Sequence, residues 1–373
     1  MKINPNLKTP YYLIDESLLQ KNLEIIKNIK DRSGCKTLLA QKAFSMYSLY
    51  PLMSKYLDGT TASGLYEARL GFEHFGKEVH VYAPAYKDED FMEILDYADH
   101  IVFNSVSQLR HFKDIALKRG KTLGLRINPE ISTQSHGMYD PCSPTSRMGT
   151  RLIDFDESIL PYISGLHFHT LCQQNADALE ITLKVVEEKF GKYLHNLKWI
   201  NFGGGHHLAL HDYDIDLLVK LIKYYKETYN LEVYLEPGEG IVLNTGFFVA
   251  QVLDIVKNDM AIAILDTSAT CHMPDVIEMP FTPPVQDTVK KSDYHYRLAG
   301  YTCLTGDNIG EYYFENPLEI GSRIVFEDMA LYTMVKNNTF NGIPLPSIYL
   351  RNLSGEDILI KSFDYLDFKH KLS

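Results

Sequence analysis

The sequence predicts an α/β protein: a parallel (β/α)8 TIM-type barrel over residues 1–240, then an antiparallel β domain over residues 241–373. Three observations carry this reading. Eight short apolar, β-branched runs recur before residue 240. Amphipathic stretches at helical spacing lie between them. After residue 240 the helical spacing fades, while strand-like runs continue between Gly, Pro and Asn. Strand–helix alternation repeated eight times is the pattern of a closed parallel barrel.

The eight runs are Lys36–Ala40, Gly59–Ser63, Val79–Ala83, His100–Asn104, Thr122–Asn128, Ile163–Thr170, Trp199–Phe202 and Glu232–Glu236. Between the sixth and seventh, Leu179, Leu183, Val186 and Phe190 recur at helical spacing; between the last two, Leu218, Leu221, Ile222 and Tyr225 do so. The later strand-like runs are Phe247–Val256, Ala261–Leu265, Tyr294–Ala299, Arg323–Phe326, Pro346–Arg351 and Asp357–Ile360. The opening TPYYLID reads as a strand followed by the helix Glu16–Ile29, with residues 1–15 joining the β domain instead of the barrel.

A chain of 373 residues has the length of two or three domains and can bury a large core without metal or disulfide staples. Its balance of 45% hydrophobic and 23% charged residues excludes a disordered chain and a collagen-like repeat. No apolar run reaches the ~18 residues of a membrane span, and MKINPNLKTP lacks the apolar core of a secretion signal. A soluble, cytoplasmic protein is expected. With 37 basic and 48 acidic residues the net charge is −11, which disfavours nucleic acid and anionic membranes as partners. The five cysteines, Cys35, Cys142, Cys172, Cys271 and Cys303, are scattered with no CxxC, as expected of reduced thiols.

Reactive groups of such a barrel sit at the carboxyl ends of its strands, here Lys42, Ser63, Asn104, Asn128, His169, Gly203–Gly205 and Glu236. Lys42, just after Leu38-Leu39-Ala40, is either a desolvated nucleophile towards carbonyls or a strand-edge lysine with its ammonium in water. In GLHFHTLC, His167 and His169 share a strand face; they suit a metal pair, a ring-stacking histidine with a supporting partner, or satisfied core histidines. The three glycines can present backbone N–H groups to a phosphate or simply form a tight turn. Glu236, in YLEPGEG, can face a protonated ring nitrogen or cap the barrel mouth. All four signals fall at one end of one barrel.

These residues resemble the fold-type III pyridoxal phosphate decarboxylases along essentially the whole chain, and the carboxynorspermidine branch in particular. Lys42 in LLAQKAF matches the lysine to which the cofactor is attached. FHTLC matches the family's FHxGS, which makes His169 the ring-stacking histidine and places Cys172 at the usual serine. Gly203, Gly204 and Gly205 match the phosphate glycines, and Glu236 the carboxylate that pairs with the pyridine nitrogen. YTCLTGD, with Cys303 and Asp307, resembles an element supplied across a dimer interface; in EDMALYTMVKNNTFNG, Tyr332 would reach the phosphate and Phe340 line the pocket. The sequence departs from the family where an arginine usually follows Glu-Pro-Gly, for Glu239 stands there, and Leu171 replaces the glycine of FHxGS.

The resemblance implies pyridoxal 5′-phosphate as cofactor, a homodimer with shared sites, and decarboxylation of carboxynorspermidine or carboxyspermidine. Lys42 or Cys303 would return a proton to Cα. Glu239, Asp275 and Asp307 are the candidate carboxylates for the substrate's protonated amines. Diaminopimelate is the alternative substrate, and Glu239 argues against it, because a second carboxylate calls for a basic group. A metal-dependent barrel hydrolase would need further ligands beyond the histidine pair, and a non-catalytic pyridoxal phosphate protein would lack the second domain.

Overall fold

The computed structural model describes residues 2–134, 137 and 140–373. The chain forms two compact units, residues 22–241 and residues 1–21 together with 242–373. It opens with the strand Tyr11–Asp15 (β1) and the helix Glu16–Ser33, whose first turn is capped by the Asp15 carboxylate at 2.9 Å from the Ser17 N–H.

In the first unit eight parallel strands close on themselves: Lys36–Ala40 (β2), Gly59–Ala62 (β3), Glu78–Tyr82 (β4), His100–Phe103 (β5), Thr122–Arg126 (β6), Gly165–His167 (β7), Trp199–Asn201 (β8) and Glu232–Leu235 (β9). β9 closes onto β2 with Tyr234 opposite Lys36. The expected barrel is present, each strand within a residue or two of its run except the sixth. That run extends to Thr170, whereas β7 ends at His167 and leaves His169 beyond it. The loop between β6 and β7 carries only short 3-10 turns among its described residues.

The barrel interior is packed, not hollow. Leu38, Val102, Trp199 and Tyr234 form a buried cluster inside it. Trp199, the single tryptophan, lies against two strand glycines: a Cβ built on Gly165 would stand 2.0 Å from its ring, and one on Gly124 2.4 Å. Glycine there is a requirement of close approach.

The other unit is a nine-stranded sheet. Its further strands are Gly246–Lys257 (β10), Ala261–Leu265 (β11), Thr288–Val289 (β12), Tyr294–Ala299 (β13), Asn308–Phe314 (β14), Arg323–Glu327 (β15), Ser347–Arg351 (β16) and Asp357–Lys361 (β17). The order is β12-β14-β13-β11-β10-β1-β16-β17, with β15 also on β10. β1 belongs here, antiparallel to β10 and parallel to β16. The sheet is mixed, not purely antiparallel, since β11 and β13 also run parallel across the long connection 266–293. β14 has no counterpart among the sequence runs: Ile309, Tyr312 and Phe314 turn inward, but Gly310 and the polar residues between dilute the pattern. Among the described residues no helix is long and apolar enough to cross a membrane.

Candidate active site

The carboxyl ends of β2, β6, β7, β8 and β9 bring one group of the sequence candidates together. Lys42 follows β2 in a turn anchored by Gln41, which is fully buried. The Gln41 amide donates to the Glu67 carbonyl at 2.8 Å and accepts from the Tyr50 hydroxyl at 3.0 Å. Lys42 itself makes no hydrogen bond or ion pair among the described residues. Lys42 is exposed as a residue, yet protein atoms are dense around its amine. Crowding of the charged end governs proton affinity, so burial lowers the Lys42 pKa, and the neighbouring Arg126 guanidinium lowers it further against the pull of Glu236. That favours the neutral, nucleophilic amine.

Glu236 is buried just beyond β9, with one donor on each oxygen: His167 Nε2 at 3.1 Å from Oε2 and Asn201 Nδ2 at 2.8 Å from Oε1. Burial pushes its pKa up, but the His167 imidazole, charged once acid has protonated it, outweighs burial together with its own hydrogen bond, His80 and Asn201, and the carboxyl is held down at about 2. The His167 pKa is lowered by burial, so near neutral pH this is a neutral hydrogen bond to an anion and not an ion pair.

His169 lies past the end of β7. The Gly204 N–H donates to its Nδ1 at 2.8 Å, which places the ring proton on Nε2. Burial, with Lys42 and Arg126 nearby, holds its pKa well below the usual histidine range.

The glycine turn is built by contact with the chain itself. A Cβ on Gly203 would meet the Phe168 carbonyl at 2.4 Å, and one on Gly205 the Leu171 carbonyl at 2.0 Å; both residues have positive φ, +71° and +84°. Of the three N–H groups, that of Gly203 donates to Asn201 and that of Gly204 to His169. A phosphate cradle of three free donors is therefore not what folds; two of the donors orient other site residues.

Beside this turn, Glu239 Oε1 accepts from Gln173 Nε2 at 2.7 Å and pairs with His207 Nε2 at 3.1 Å. Glu239 is thus mostly buried and not the solvated loop carboxylate its setting allows. Cys172 is half-buried between the charges of Glu239 and Lys42, and burial raises its thiol pKa.

The remaining candidates lie on the other unit. Asp307 is not a free substrate carboxylate: it is buried, with Oδ1 accepting from the Ala269 N–H at 2.7 Å and Oδ2 from the Thr302 hydroxyl at 2.5 Å. It ties a loop to a helix start. Asp275 is likewise committed, paired with Lys336, which also binds Glu278. Cys303 is exposed, and its N–H donates to the Asn341 side chain at 2.8 Å, next to the half-exposed Phe340. Tyr332 is half-buried with a positive φ of 52°.

Sequence reading missed Arg126 and Asn201. Arg126 is buried at the end of β6, its guanidinium 4.6 Å from the Tyr82 ring centroid and bonded to the His169 carbonyl. The signal was available: both close a barrel strand at an inward position. Asn104 and Asn128, in contrast, bind loop backbone around Met148.

At the opposite ends of the strands, Glu78, His80 and His100 lie within ligand-like distance of one another. The two imidazoles stack at 4.0 Å with 10° between planes, so their in-plane lone pairs run side by side instead of converging on one ion. Lys36 Nζ already stands 2.5 Å from Glu78.

The mouth thus supplies an amine of lowered pKa, an ionised buried carboxylate and a neutral imidazole. That donor set fits a cofactor with an aldehyde and a basic ring nitrogen.

Comparison with known proteins agrees. Residues 12–330 match the family described as pyridoxal-dependent decarboxylase, C-terminal sheet domain. The chain is 44% identical to a carboxynorspermidine/carboxyspermidine decarboxylase of Campylobacter jejuni, over 97% of this chain and 98% of that protein. It is 39% identical to a carboxyaminopropylagmatine decarboxylase of Synechocystis, over 98% and 96%. Among solved structures, it superposes with a TM-score of 0.91 on carboxynorspermidine decarboxylase from Campylobacter jejuni complexed with norspermidine, covering 98% of this chain and 100% of that one at 44% identity. Helicobacter pylori diaminopimelate decarboxylase, at 17% identity and TM-score 0.83 over 99% and 98%, shares the fold. With a family match across most of the chain and full-length relatives on either side of 40% identity, the chain belongs to the pyridoxal-dependent decarboxylases.

Proposed function

We propose that this enzyme removes the α-carboxylate of carboxynorspermidine and carboxyspermidine, yielding norspermidine and spermidine in polyamine biosynthesis. The 44% full-length identity to the Campylobacter enzyme carries the reading. When bound, pyridoxal phosphate supplies the conjugated ring that takes up the electron pair of the breaking bond. On this reading Lys42 would hold the cofactor, Glu236 would serve its ring nitrogen and His169 its ring face, and Gly203, Gly204, Gly205, Cys172 and Tyr332 would serve its phosphate. Lys42 or Cys303 returns the proton to Cα, and Phe340 lines the pocket. The active form is a cytoplasmic homodimer whose partner supplies Cys303.

Glu239 is the barrel carboxylate that meets a substrate amine. Both of its donors among the described residues go to Oε1, which leaves Oε2 for a cation. A charge-assisted hydrogen bond is worth about 1.5–3 kcal/mol, so Glu239→Gln lowers kcat/KM about tenfold or more for the polyamine substrates. The loss is much smaller for a truncated substrate lacking the distal amines. Equal losses for both would place Glu239 in service of the cofactor.

A second reading, a substrate ending in a guanidinium, is favoured by the similarity to the Synechocystis enzyme. Parallel turnover of carboxynorspermidine, carboxyspermidine, carboxyaminopropylagmatine and diaminopimelate decides among them. Highest kcat/KM for diaminopimelate would overturn the proposal. Shared sites are tested by mixing inactive Lys42→Ala and Cys303→Ala chains, since hybrid dimers regain one intact site. Asp307 is unsuited to that experiment because its removal loosens its own unit.

A further inference from the structure

We infer that His167 is a positioning residue: it holds Glu236 as an anion without sharing the charge, so that only a protonated cofactor ring nitrogen can compensate it. The inference rests on the proposed placement of that nitrogen against Glu236.

The geometry begins with three adjacent strands. His167 ends β7, opposite Asn201 on β8, and Asn201 lies opposite Tyr234, two residues before Glu236. Both donors to Glu236 are therefore carried on ladder-bonded backbone, one to each oxygen, at 3.1 and 2.8 Å. Asn201 is fixed in turn, its Oδ1 accepting from the Gly203 N–H at 2.8 Å.

His167 is 1% exposed, and its Nδ1 is buried with no hydrogen-bond partner among the described residues. A carboxylate beside Nε2 requires Nε2 to carry the proton. A second proton, on Nδ1, would be a buried donor without an acceptor, an unfavourable state that adds to the desolvation of the imidazolium. The Tyr82 ring, stacked at 5.5 Å and 30°, offers that nitrogen no acceptor either. Near neutral pH His167 is thereby held as a neutral donor.

The other ionisable groups facing this point are Arg126 from β6, His80 from β4, His169 beyond β7 and Lys42 after β2. Among the described residues none makes an ion pair with Glu236 except the neutral His167 itself. A buried carboxylate with two neutral donors and, among the described residues, no cation within ion-pair distance is an incompletely balanced charge. It favours a proton on a basic nitrogen placed against it, and an ionised histidine would remove that preference.

The experiment uses holoenzyme reconstituted with pyridoxal phosphate labelled with 15N in the ring, read by 15N NMR across pH. The wild type is expected to keep the ring nitrogen protonated to at least about pH 9, well above an ordinary pyridine. His167→Leu removes the donor: the ring proton is lost at lower pH, cofactor affinity falls about tenfold, and kcat falls with little change in KM. His167→Gln keeps a neutral N–H in reach and restores the protonated signal. A merely structural role would not predict that rescue.

A wild-type ring nitrogen that titrates below about pH 9 overturns the inference whatever the variants do. So does a His167→Leu enzyme with an unchanged signal, or a folded His167→Gln enzyme that behaves like His167→Leu. If no cofactor can be fixed to Lys42 by borohydride, the proposed function fails first. A cofactor at Lys42 with a neutral ring nitrogen sinks this inference alone.

Discussion

At the amino ends of the barrel strands, Lys36 lies 2.5 Å from Glu78 and 3.1 Å from Glu232, and the Tyr234 hydroxyl lies within 3.1 Å of both carboxylates. At the carboxyl ends, Lys42 makes no ion pair among the described residues, and Glu236 is held by His167 and Asn201. Lysine, histidine and glutamate stand at both ends of one barrel, so residue type does not distinguish them; pairing does. Desolvation alone would lower the Lys36 pKa, but hydrogen bonds from its ammonium to two carboxylates win and raise it. Around Lys42 no carboxylate among the described residues is in hydrogen-bond reach, burial and Arg126 outweigh the more distant pull of Glu236, and the pKa falls. The floor is a paired cluster beside Trp199, its one ammonium shared by two carboxylates. The mouth keeps its amine and its carboxylate apart, which leaves both with unused capacity for a ligand.

The sharpest way to break this comparison is to delete each lysine. Lys42→Ala should lower turnover by at least about 10²-fold, the size of a positioned proton-transfer group, and borohydride should no longer fix cofactor to that peptide. Lys36→Met should keep the cofactor and most activity. A Lys42→Ala enzyme that still binds reducible cofactor elsewhere would make the two ends equivalent.

The carboxylates come next. Glu236→Gln removes an anion that two donors hold, at about 1.5–3 kcal/mol, or roughly 10–150-fold in kcat. Glu78→Gln should leave kcat within about twofold. Because Glu236 has its pKa depressed to about 2, its contribution to stability is complete above the unfolded value of about 4.3. The contribution is lost as pH falls through 2, so acid unfolding of wild type and Glu236→Gln should converge there. Parallel curves down to that pH would contradict the assignment.

The floor has its own test. Gly165→Ala drives a methyl into Trp199 and should destabilise by about 1–3 kcal/mol, seen as a lower Tm and altered tryptophan emission, with the cofactor still bound. An unshifted Tm would mean that Trp199 is free to move.

The smallest effect has the most specific sign. Lys36, with a raised pKa, stabilises below the unfolded value of about 10.4, and that stabilisation is lost as pH rises through its folded value. Lys42, with a lowered pKa, does the opposite: between its folded value and about 10.4 the unfolded chain binds the extra proton, so stability rises with pH. Denaturant midpoints of apoenzyme from pH 8 to 11, for wild type, Lys36→Met and Lys42→Met, should show the two gaps moving in opposite directions. Movement in the same direction would refute the difference in pairing.

Much of this protein was legible before folding. The barrel strands were readable because an apolar run and its flanking helix repeat are local patterns, and β1 announced itself in TPYYLID. β14 hid because Gly310 interrupts its alternation. Lys42, His169 and Glu236 could be picked out because strand ends are where a barrel exposes side chains. Partners are a different matter. Asp275 meets Lys336 across 61 positions, Glu239 meets Gln173 across 66, Asp307 meets the Ala269 N–H across 38, and His167 meets Glu236 across 69. The sequence by itself determined the barrel strands, their order and the strand ends at which Lys42, His169 and Glu236 come together. Only the tertiary structure decided which carboxylates are already taken and which amine stays unpaired. Periodicity acts over a few residues, whereas hydrogen bonds and charge pairs act over a few ångströms, and the fold alone makes distant positions neighbours.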